Sequence, residues 1–205
     1  MYVCLRGSTM GSRRLFCKED THEKTWLILI AVVIAIGAWV VSGYNGLVGM
    51  DEGVNNKLAQ VQTQLQRRND LIPNLVSTVK GYASHEQAAI QAVSDARAKL
   101  GGARTVEEMS QADGELSSAL SRLLMITENY PNLKADQNFR ALQDELAGTE
   151  NRIAVARKDY NDVVNAYNAK VRTFPTSIYA GMLGFQPKAY FQADQAAQSA
   201  PKVEF

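Results

Sequence analysis

The sequence predicts an all-α protein in which an N-terminal transmembrane helix leads into an antiparallel, four-helix-type bundle of long helices. An uncharged apolar run near the N-terminus predicts the membrane helix. A heptad spacing of apolar residues from Leu47 onward predicts the bundle. No stretch alternates as a strand would over more than about five residues. With 205 residues, of which 46% are hydrophobic and 21% charged, the chain suits one folded domain plus an accessory segment.

The apolar run WLILIAVVIAIGAWVVSGY occupies residues 26–44 and carries no charged side chain. As a helix it would span about 28 Å, which is close to the thickness of a bilayer's hydrocarbon core. A cleaved signal peptide is the alternative, with Val41-Ser42-Gly43 as the cleavage site. The run is longer than the usual apolar region of a signal peptide, so a retained membrane anchor is the favoured interpretation.

The charges on either side of the run predict its orientation. Five basic residues precede it, whereas Asp51 and Glu52 are the first charged residues after it. The positive-inside bias then places the N-terminus in the cytoplasm and the larger C-terminal part outside. We expect a cytoplasmic leader without ordered structure at residues 1–25 and a transmembrane helix at 26–44. A helical bundle should follow at 45–185 and an extended tail at 186–205.

Turn signals divide the heptad pattern into separate helices. Pro73 disfavours helical backbone in the residue before it, so we expect the first long helix to break near Asp70–Ile72. Gly101-Gly102 is expected to end a helix, and Asn129–Asn132 to form a turn. The helices predicted after the break are residues 73–100, 104–129, 135–172 and a short one at 177–183. Short connections make the long helices antiparallel neighbours.

Composition excludes most cofactor chemistry and nucleic-acid binding. Lys and Arg (22) nearly balance Asp and Glu (21), and two Cys with two His are too few for a zinc ribbon, an iron–sulfur site or a disulfide framework. No P-loop, nucleophile elbow or dinucleotide fingerprint occurs, and none of the predicted bundle helices carries the Glu-x-x-His pair that a di-metal bundle would need. His85 beside Glu86 has no motif around it. We therefore expect no cofactor and no catalytic residue.

Arg68 falls on the apolar stripe of its helix, so it needs an acidic partner. One interpretation is a structural ion pair, with Asp70 capping the next helix. The other is an anion site at the helix start formed by Pro73 and Asn74, where free N–H groups would collect. We favour the first, because such residues usually pair and cap. The candidate partners are Glu128, Asp144, Glu145 and Glu150.

Tyrosine and asparagine recur as neighbours in the second half of the chain. Tyr160 and Tyr167 are each followed by Asn, and Tyr130 follows Asn129. The pairs could form a polar-aromatic surface that binds a glycan or a partner. Alternatively the rings are core residues. The spacing of seven residues puts Tyr160 and Tyr167 on one helix stripe, which favours buried rings.

An apolar cluster follows Pro175 and consists of Ile178, Tyr179, Met182, Leu183 and Phe185. It could close the open end of the bundle, or it could be an exposed docking patch or a membrane-interface contact. The C-terminal residues Val203–Phe205 form a second apolar segment, and Phe205 is expected to be free to dock.

Several long segments carry a family resemblance: RRNDLIPNLVSTVKGYASHE (67–86), the run from LLMITENYPN to NAYN (123–168), TFPTSIYAGMLGF (173–185), KAYF (188–191) and KVEF (202–205). Together they resemble the LemA family, over about residues 26–205. The resemblance implies a mainly helical antiparallel bundle on a bacterial membrane. It implies no settled activity and no catalytic residues.

The leading hypothesis is therefore a scaffold or interaction protein of the bacterial envelope, anchored in the cytoplasmic membrane and without catalytic activity. Its expected partners are the membrane, other copies of the chain and other envelope proteins. The alternative is a sensor bundle that binds a small ligand between its helices.

Overall fold

The computed structural model describes residues 21–83 and 85–192, with side chains from residue 25 onward. Every regular element in these two ranges is a helix, which confirms the predicted fold class. Most of the predicted leader and the docking segment that ends at Phe205 lie outside the described residues. The elements are α1 (Thr21–Tyr82), α2 (Gln87–Gly102), α3 (Val106–Thr127), α4 (Pro131–Ala135), α5 (Gln137–Arg172) and α6 (Thr176–Ala180).

The chain divides into two compact units, of which the first ends at Ser42. Its described residues belong to the beginning of α1. Large apolar side chains such as Trp26 and Leu27 are about two-thirds exposed there. Among the described residues, α1 is long and apolar enough to cross a membrane, and its most apolar window has a mean hydropathy of 2.5 with no part buried.

The second unit, from Gly43 onward, is a bundle of four long helices. Two ion pairs show the relative direction of α1 and α5: Lys57 pairs with Asp159 at 2.9 Å, and Arg67, ten residues later on α1, pairs with Glu145, fourteen residues earlier on α5, at 2.8 Å. The two helices are therefore antiparallel. The heptad positions of α1 face the core as predicted, with buried side chains at Leu47, Val54, Val61, Leu65, Ile72, Leu75 and Val79.

The predicted break before Pro73 is wrong, because α1 continues through Pro73 to Tyr82. Proline lacks an N–H, so the carbonyl of Asn69, four residues earlier, loses its donor within the helix. The Nε of Arg97 in α2 donates to that carbonyl at 3.2 Å. The Pro73 side chain itself is exposed. A neighbouring helix thus satisfies the group that the proline leaves free.

The predicted helix 73–100 is consequently wrong as well, since the chain turns after Tyr82 and α2 begins at Gln87. Side chains from the α3–α5 connection contact both sides of this turn. The Tyr82 hydroxyl donates to Asp136 at 3.2 Å, and the Tyr130 hydroxyl donates to Glu86 at 3.1 Å. The turn is therefore held by contacts distant in sequence, which local propensity does not encode.

The N-termini of α3 and α5 are capped by their own side chains. Thr105 Oγ1 accepts from the N–H of Glu108, and the Glu108 carboxylate accepts from the backbone N–H groups of Arg104 and Thr105. These two backbone hydrogen bonds hold the pKa of Glu108 below its usual value. The cap contributes its full stability above the ordinary carboxyl pKa, and that contribution is lost as the pH falls through the lowered one.

The turn predicted at 129–132 is wrong in its second half, because the short helix α4 begins at Pro131. Pro131 occupies the first turn of that helix, where a missing N–H costs nothing. Asp136 then caps α5 by accepting from the N–H of Phe139 at 2.9 Å.

The Arg97 contact gives a test of why α1 tolerates its proline. Arg97→Met removes the donor to the Asn69 carbonyl and keeps an apolar stem, so it should lower the free energy of unfolding by about 1 kcal/mol. In a Pro73→Ala background the restored N–H serves the same carbonyl, and Arg97→Met should then cost much less. Urea unfolding of the four proteins in mild detergent measures both costs. If Arg97→Met lowered the free energy of unfolding equally in the two backgrounds, Arg97 would not be what compensates for the missing N–H of Pro73.

Candidate functional site

A buried charge cluster joins three helices of the bundle. Arg68 of α1 is 4% exposed, and its Nη1 lies 2.8 Å from Asp113 Oδ1 on α3 and 2.6 Å from Glu150 Oε2 on α5. Asp113 is almost completely buried, and its Oδ2 lies 2.7 Å from Arg157 Nη2, also on α5. Two cations and two carboxylates leave the cluster with no net charge. Buried charges are tolerated only when they are paired in this way.

Glu150 is one of the partners predicted for Arg68, and the structure confirms that pair. Sequence reasoning missed Asp113 and Arg157. A signal for Asp113 was present, because it stands four residues after Met109 and three before Leu116, on the apolar stripe of α3. A charge at that position needs a buried partner for the same reason as Arg68.

The structure does not support an anion site or a helix cap around Pro73. Asp70, Pro73 and Asn74 lie exposed inside α1, where no helix begins. Asp70 accepts from the side chain of Gln66 at 2.7 Å, and the Asn74 carbonyl accepts from the Thr78 hydroxyl at 2.9 Å. The anion site and the Asp70 cap both depended on the predicted break at the proline, whereas the predicted ion pair of Arg68 did not and is confirmed.

A second feature is a groove that holds the chain's own extended segment 187–192, here called the tail segment. The Asn168 side chain donates to the Lys188 carbonyl at 2.9 Å and accepts from the Lys188 N–H at 2.8 Å. Asn161 makes the same pair of bonds with the backbone of Phe191, both at 2.9 Å. Each amide therefore satisfies the donor and the acceptor of one tail residue, as a neighbouring strand would.

The spacing of the two asparagines matches the geometry of the tail segment. Seven residues along α5 rise about 10.5 Å, and three residues of extended chain cover about 10 Å. Asn161 and Asn168 therefore meet Phe191 and Lys188 in an antiparallel register. The Tyr-Asn repeat was noticed in the sequence, but its meaning required knowing that the tail lies along α5.

Two side chains of the tail segment add specific contacts. The Phe191 ring is 5% exposed, lies edge-on to Tyr160 at 5.2 Å between ring centroids, and lies 5.2 Å from the guanidinium carbon of Arg157. Lys188 pairs with Asp51 of α1 at 2.9 Å. Because Arg157 also contacts Asp113, the groove and the charge cluster share one side chain.

The tyrosines of the repeat are core residues, as the favoured interpretation predicts. Tyr160 and Tyr167 are almost fully buried, and the Tyr160 hydroxyl donates to the Ala189 carbonyl at 3.0 Å. Burial raises the pKa of both phenols, with Asp51 adding to the effect at Tyr167. Tyr130 is half-buried, and its hydrogen bond to Glu86 raises its pKa. The tyrosines at 160 and 167 therefore do not form a glycan-binding surface.

The apolar cluster after Pro175 divides into two parts. Tyr179 and Phe185 are half-buried against the core, and Phe185 meets Tyr44 of α1 edge-on at 5.7 Å. Gly184, with φ +85°, supplies the backbone conformation that turns the chain toward Phe185. Ile178 and Met182 remain exposed. The cluster thus both packs against the bundle and presents an apolar surface.

Comparison with known proteins gives a consistent result. The family model described as "LemA family" matches residues 57–205, which is most of the chain. The chain belongs to the LemA family. The matched region contains the charge cluster, the tail groove and all the helices from α2 onward.

Individual relatives of this LemA-family chain are moderately similar to it. The magnetosome protein MamQ 2 of Paramagnetospirillum magneticum is 27% identical over an alignment that covers 91% of this chain and 81% of the relative. MamQ of Magnetospirillum gryphiswaldense is 25% identical, with coverage of 84% and 74%. Protein LemA of Metamycoplasma hominis is also 25% identical, with coverage of 84% and 80%.

Within the described part of this LemA-family chain, no group of three or more His, Cys, Asp or Glu side chains is placed to hold a metal ion. The charge cluster is neutral and filled by its own side chains, and the tail groove is occupied by backbone. The charge cluster can therefore hold the helices in register, and the tail groove can hold an extended chain. The described residues bring together no nucleophile–base pair with the form expected of a catalytic site.

The tail groove generates a prediction about proteolysis. The double variant Asn161→Leu/Asn168→Leu removes all four amide contacts with the tail backbone and keeps the side-chain size. We expect tryptic cleavage after Lys188 to become at least about tenfold faster while the helix content stays unchanged. Asn165→Leu, at an exposed position of the same helix, is the matched control and should cleave at the wild-type rate. Equal cleavage rates in both variants would show that the asparagines do not hold the tail.

Proposed function

We propose that this LemA-family chain is a scaffold of the bacterial envelope, anchored by residues 26–44, which holds other copies of itself or other envelope proteins and performs no catalysis. The observation that carries the proposal is the exposed apolar surface at the start of α1, on the same helix that builds one side of the bundle. A surface of that length and hydropathy is stable in lipid and costly in water. The charges flanking it favour a cytoplasmic N-terminus and a bundle on the other side of the membrane.

The interior of the bundle supports a scaffold rather than a chemical role. The charges at its centre are paired internally, in the Arg68–Asp113 and Arg157–Asp113 pairs. Such a centre favours one helix register over others, because a shift would separate buried charges from their partners. A fixed register presents a constant surface to a partner, which is what a scaffold needs.

A groove between α2 and α3 is the surface that best fits a partner. It has a volume of about 640 Å³, and small side chains at Ala92, Ala96 and Gly114 form part of its wall. Lys99 and Glu115 pair across it at 2.6 Å. Small side chains allow close approach of another helix or an extended segment, and charges at the rim favour specific pairing.

The same groove supports the second candidate function, a sensor that binds a small ligand between helices. Its volume lies within the range of small-molecule pockets, which is about 300–1,000 Å³. A metabolite that raises the unfolding temperature of the full chain would favour the sensor. The absence of any such shift across a broad metabolite screen would leave the scaffold as the better account.

The scaffold is tested by the mass of the full chain, extracted in mild detergent at native expression, with every co-purifying protein identified. We expect either an assembly of several copies or a complex with a second protein. Ser118→Tyr fills the groove between α2 and α3, and should reduce the assembled fraction roughly tenfold. Ser121→Tyr, also on exposed α3 surface but outside the groove lining, is the matched control. A wild-type monomer without partners would contradict the scaffold.

A further inference from the structure

We infer that the segment 174–183, which contains α6, is a second membrane-contacting element that lies in the lipid–water interface beside the point where α1 leaves the bilayer. The inference rests on the proposed anchor at residues 26–44 and names a second surface of the same protein that binds lipid. Its partner is the bilayer surface itself. Four apolar side chains form this contact, here called the interfacial patch: Phe174, Ile178, Met182 and Leu183.

The interfacial patch is exposed to a degree that is unusual for such large apolar side chains. Phe174 is 76% exposed, Ile178 63% and Met182 85%, and Leu183 is also exposed. They fall within ten residues of sequence, around a short helix whose other face is buried at Thr176 and Ala180. Clustered apolar side chains of this kind mark a surface that another apolar phase covers.

The position of the patch in the bundle identifies that apolar phase as lipid. The apolar run of α1 ends at Tyr44. The Tyr179 hydroxyl of α6 occupies the place that a Cβ at Gly43 would take, and Phe185 packs edge-on against Tyr44 at 5.7 Å. The segment that bears the patch therefore lies against the last residues of the run.

The register of α1 and α5 supports the same position. Lys57 pairs with Asp159, and thirteen residues separate Tyr44 from Lys57 on α1, just as thirteen separate Asp159 from Arg172 on α5. Because the helices are antiparallel and have the same rise, α5 ends at the level of Tyr44. The end of α5 at Arg172 thus lies at the level of Tyr44, the last residue of the apolar run, and the patch follows directly in sequence.

The charge around the interfacial patch matches the surface of an anionic bilayer. Between Asp162 and Asp194 the sequence contains Lys170, Arg172 and Lys188 and no acidic residue. Lys188 pairs with Asp51 of α1, so Lys170 and Arg172 supply the basic charge beside the patch. Lys170 and Arg172 are exposed in the last turn of α5, immediately before the patch. Basic side chains beside an apolar face are the composition of segments that lie in the membrane interface.

The two natural tryptophans allow lipid contact by the anchor to be measured separately from lipid contact by the interfacial patch. Trp26 and Trp39 both lie in the apolar run, and the chain has no other tryptophan. In vesicles of phosphatidylcholine and phosphatidylglycerol, quenching of the wild-type emission by brominated lipid reports on the anchor alone. In a Trp26→Phe/Trp39→Phe background, a tryptophan introduced at another position is the single fluorescent reporter.

The reporters are Ile178→Trp and Met182→Trp, each in that background, and Met125→Trp is the matched control. Met125 is 71% exposed, close to the exposure of the patch residues, but lies two residues before the end of α3. Its neighbourhood is the connection to α4, and α3 meets α1 at Arg68, far along α1 from Tyr44. Both reporters replace exposed side chains, so either one tests the inference if the other disturbs folding.

We expect lipid brominated near the headgroup end of the acyl chain to quench both reporters by roughly half, and lipid brominated deep in the chain to quench them less. The Met125→Trp emission should change by less than about a tenth.

Reporters that stay unquenched while the wild-type tryptophans are quenched would overturn the inference and leave the anchor intact. A blue-shifted reporter that lipid does not quench would also overturn it, because another protein surface would then cover the patch. Unquenched wild-type tryptophans would contradict the anchor, and the inference with it.

Discussion

Two arginine side chains, Arg68 and Arg157, meet on one buried carboxylate, Asp113, and this contact constrains the rest of the bundle. Removing ionised groups from water is costly, so the three helices that carry them can pack only where the charges meet. Glu150 supplies the fourth charge and makes the cluster neutral. The apolar heptads alone would permit several helix registers, whereas the charges favour one.

The constraint extends from the cluster to the tail. Arg157 contacts Asp113 on one side and the ring of Phe191 on the other, so the helix register also positions the groove that holds the tail. Asn161 and Asn168 then fix the tail by its backbone. Because backbone contacts depend little on side-chain identity, the groove recognises extended chain as such, and Phe191 and Lys188 supply the selectivity.

The helices and most of the core follow from local patterns, but the polar contacts do not. Apolar spacing identified the buried face of α1. The position of Arg68 on that stripe required an acidic partner, and the half-exposed Glu150 is one. The proline rule failed at Pro73, because Arg97, which satisfies the freed carbonyl, comes from another helix. The roles of Asn161 and Asn168 were not predictable either, since they depend on a segment about twenty to thirty residues away in sequence. Periodicity thus predicts which face is buried, whereas polar pairing across the bundle requires the fold.

The free energy of unfolding of Asp113→Asn, measured by urea in mild detergent on the full chain, tests the central role of the cluster most directly. The substitution keeps the side-chain shape and leaves the buried Arg68 and the partly buried Arg157 without their shared carboxylate. We expect a loss of about 3–5 kcal/mol. Asp162→Asn, which removes the exposed partner of Lys158, should leave the stability nearly unchanged. Equal stability of the two variants would contradict the claim that the buried cluster fixes the bundle.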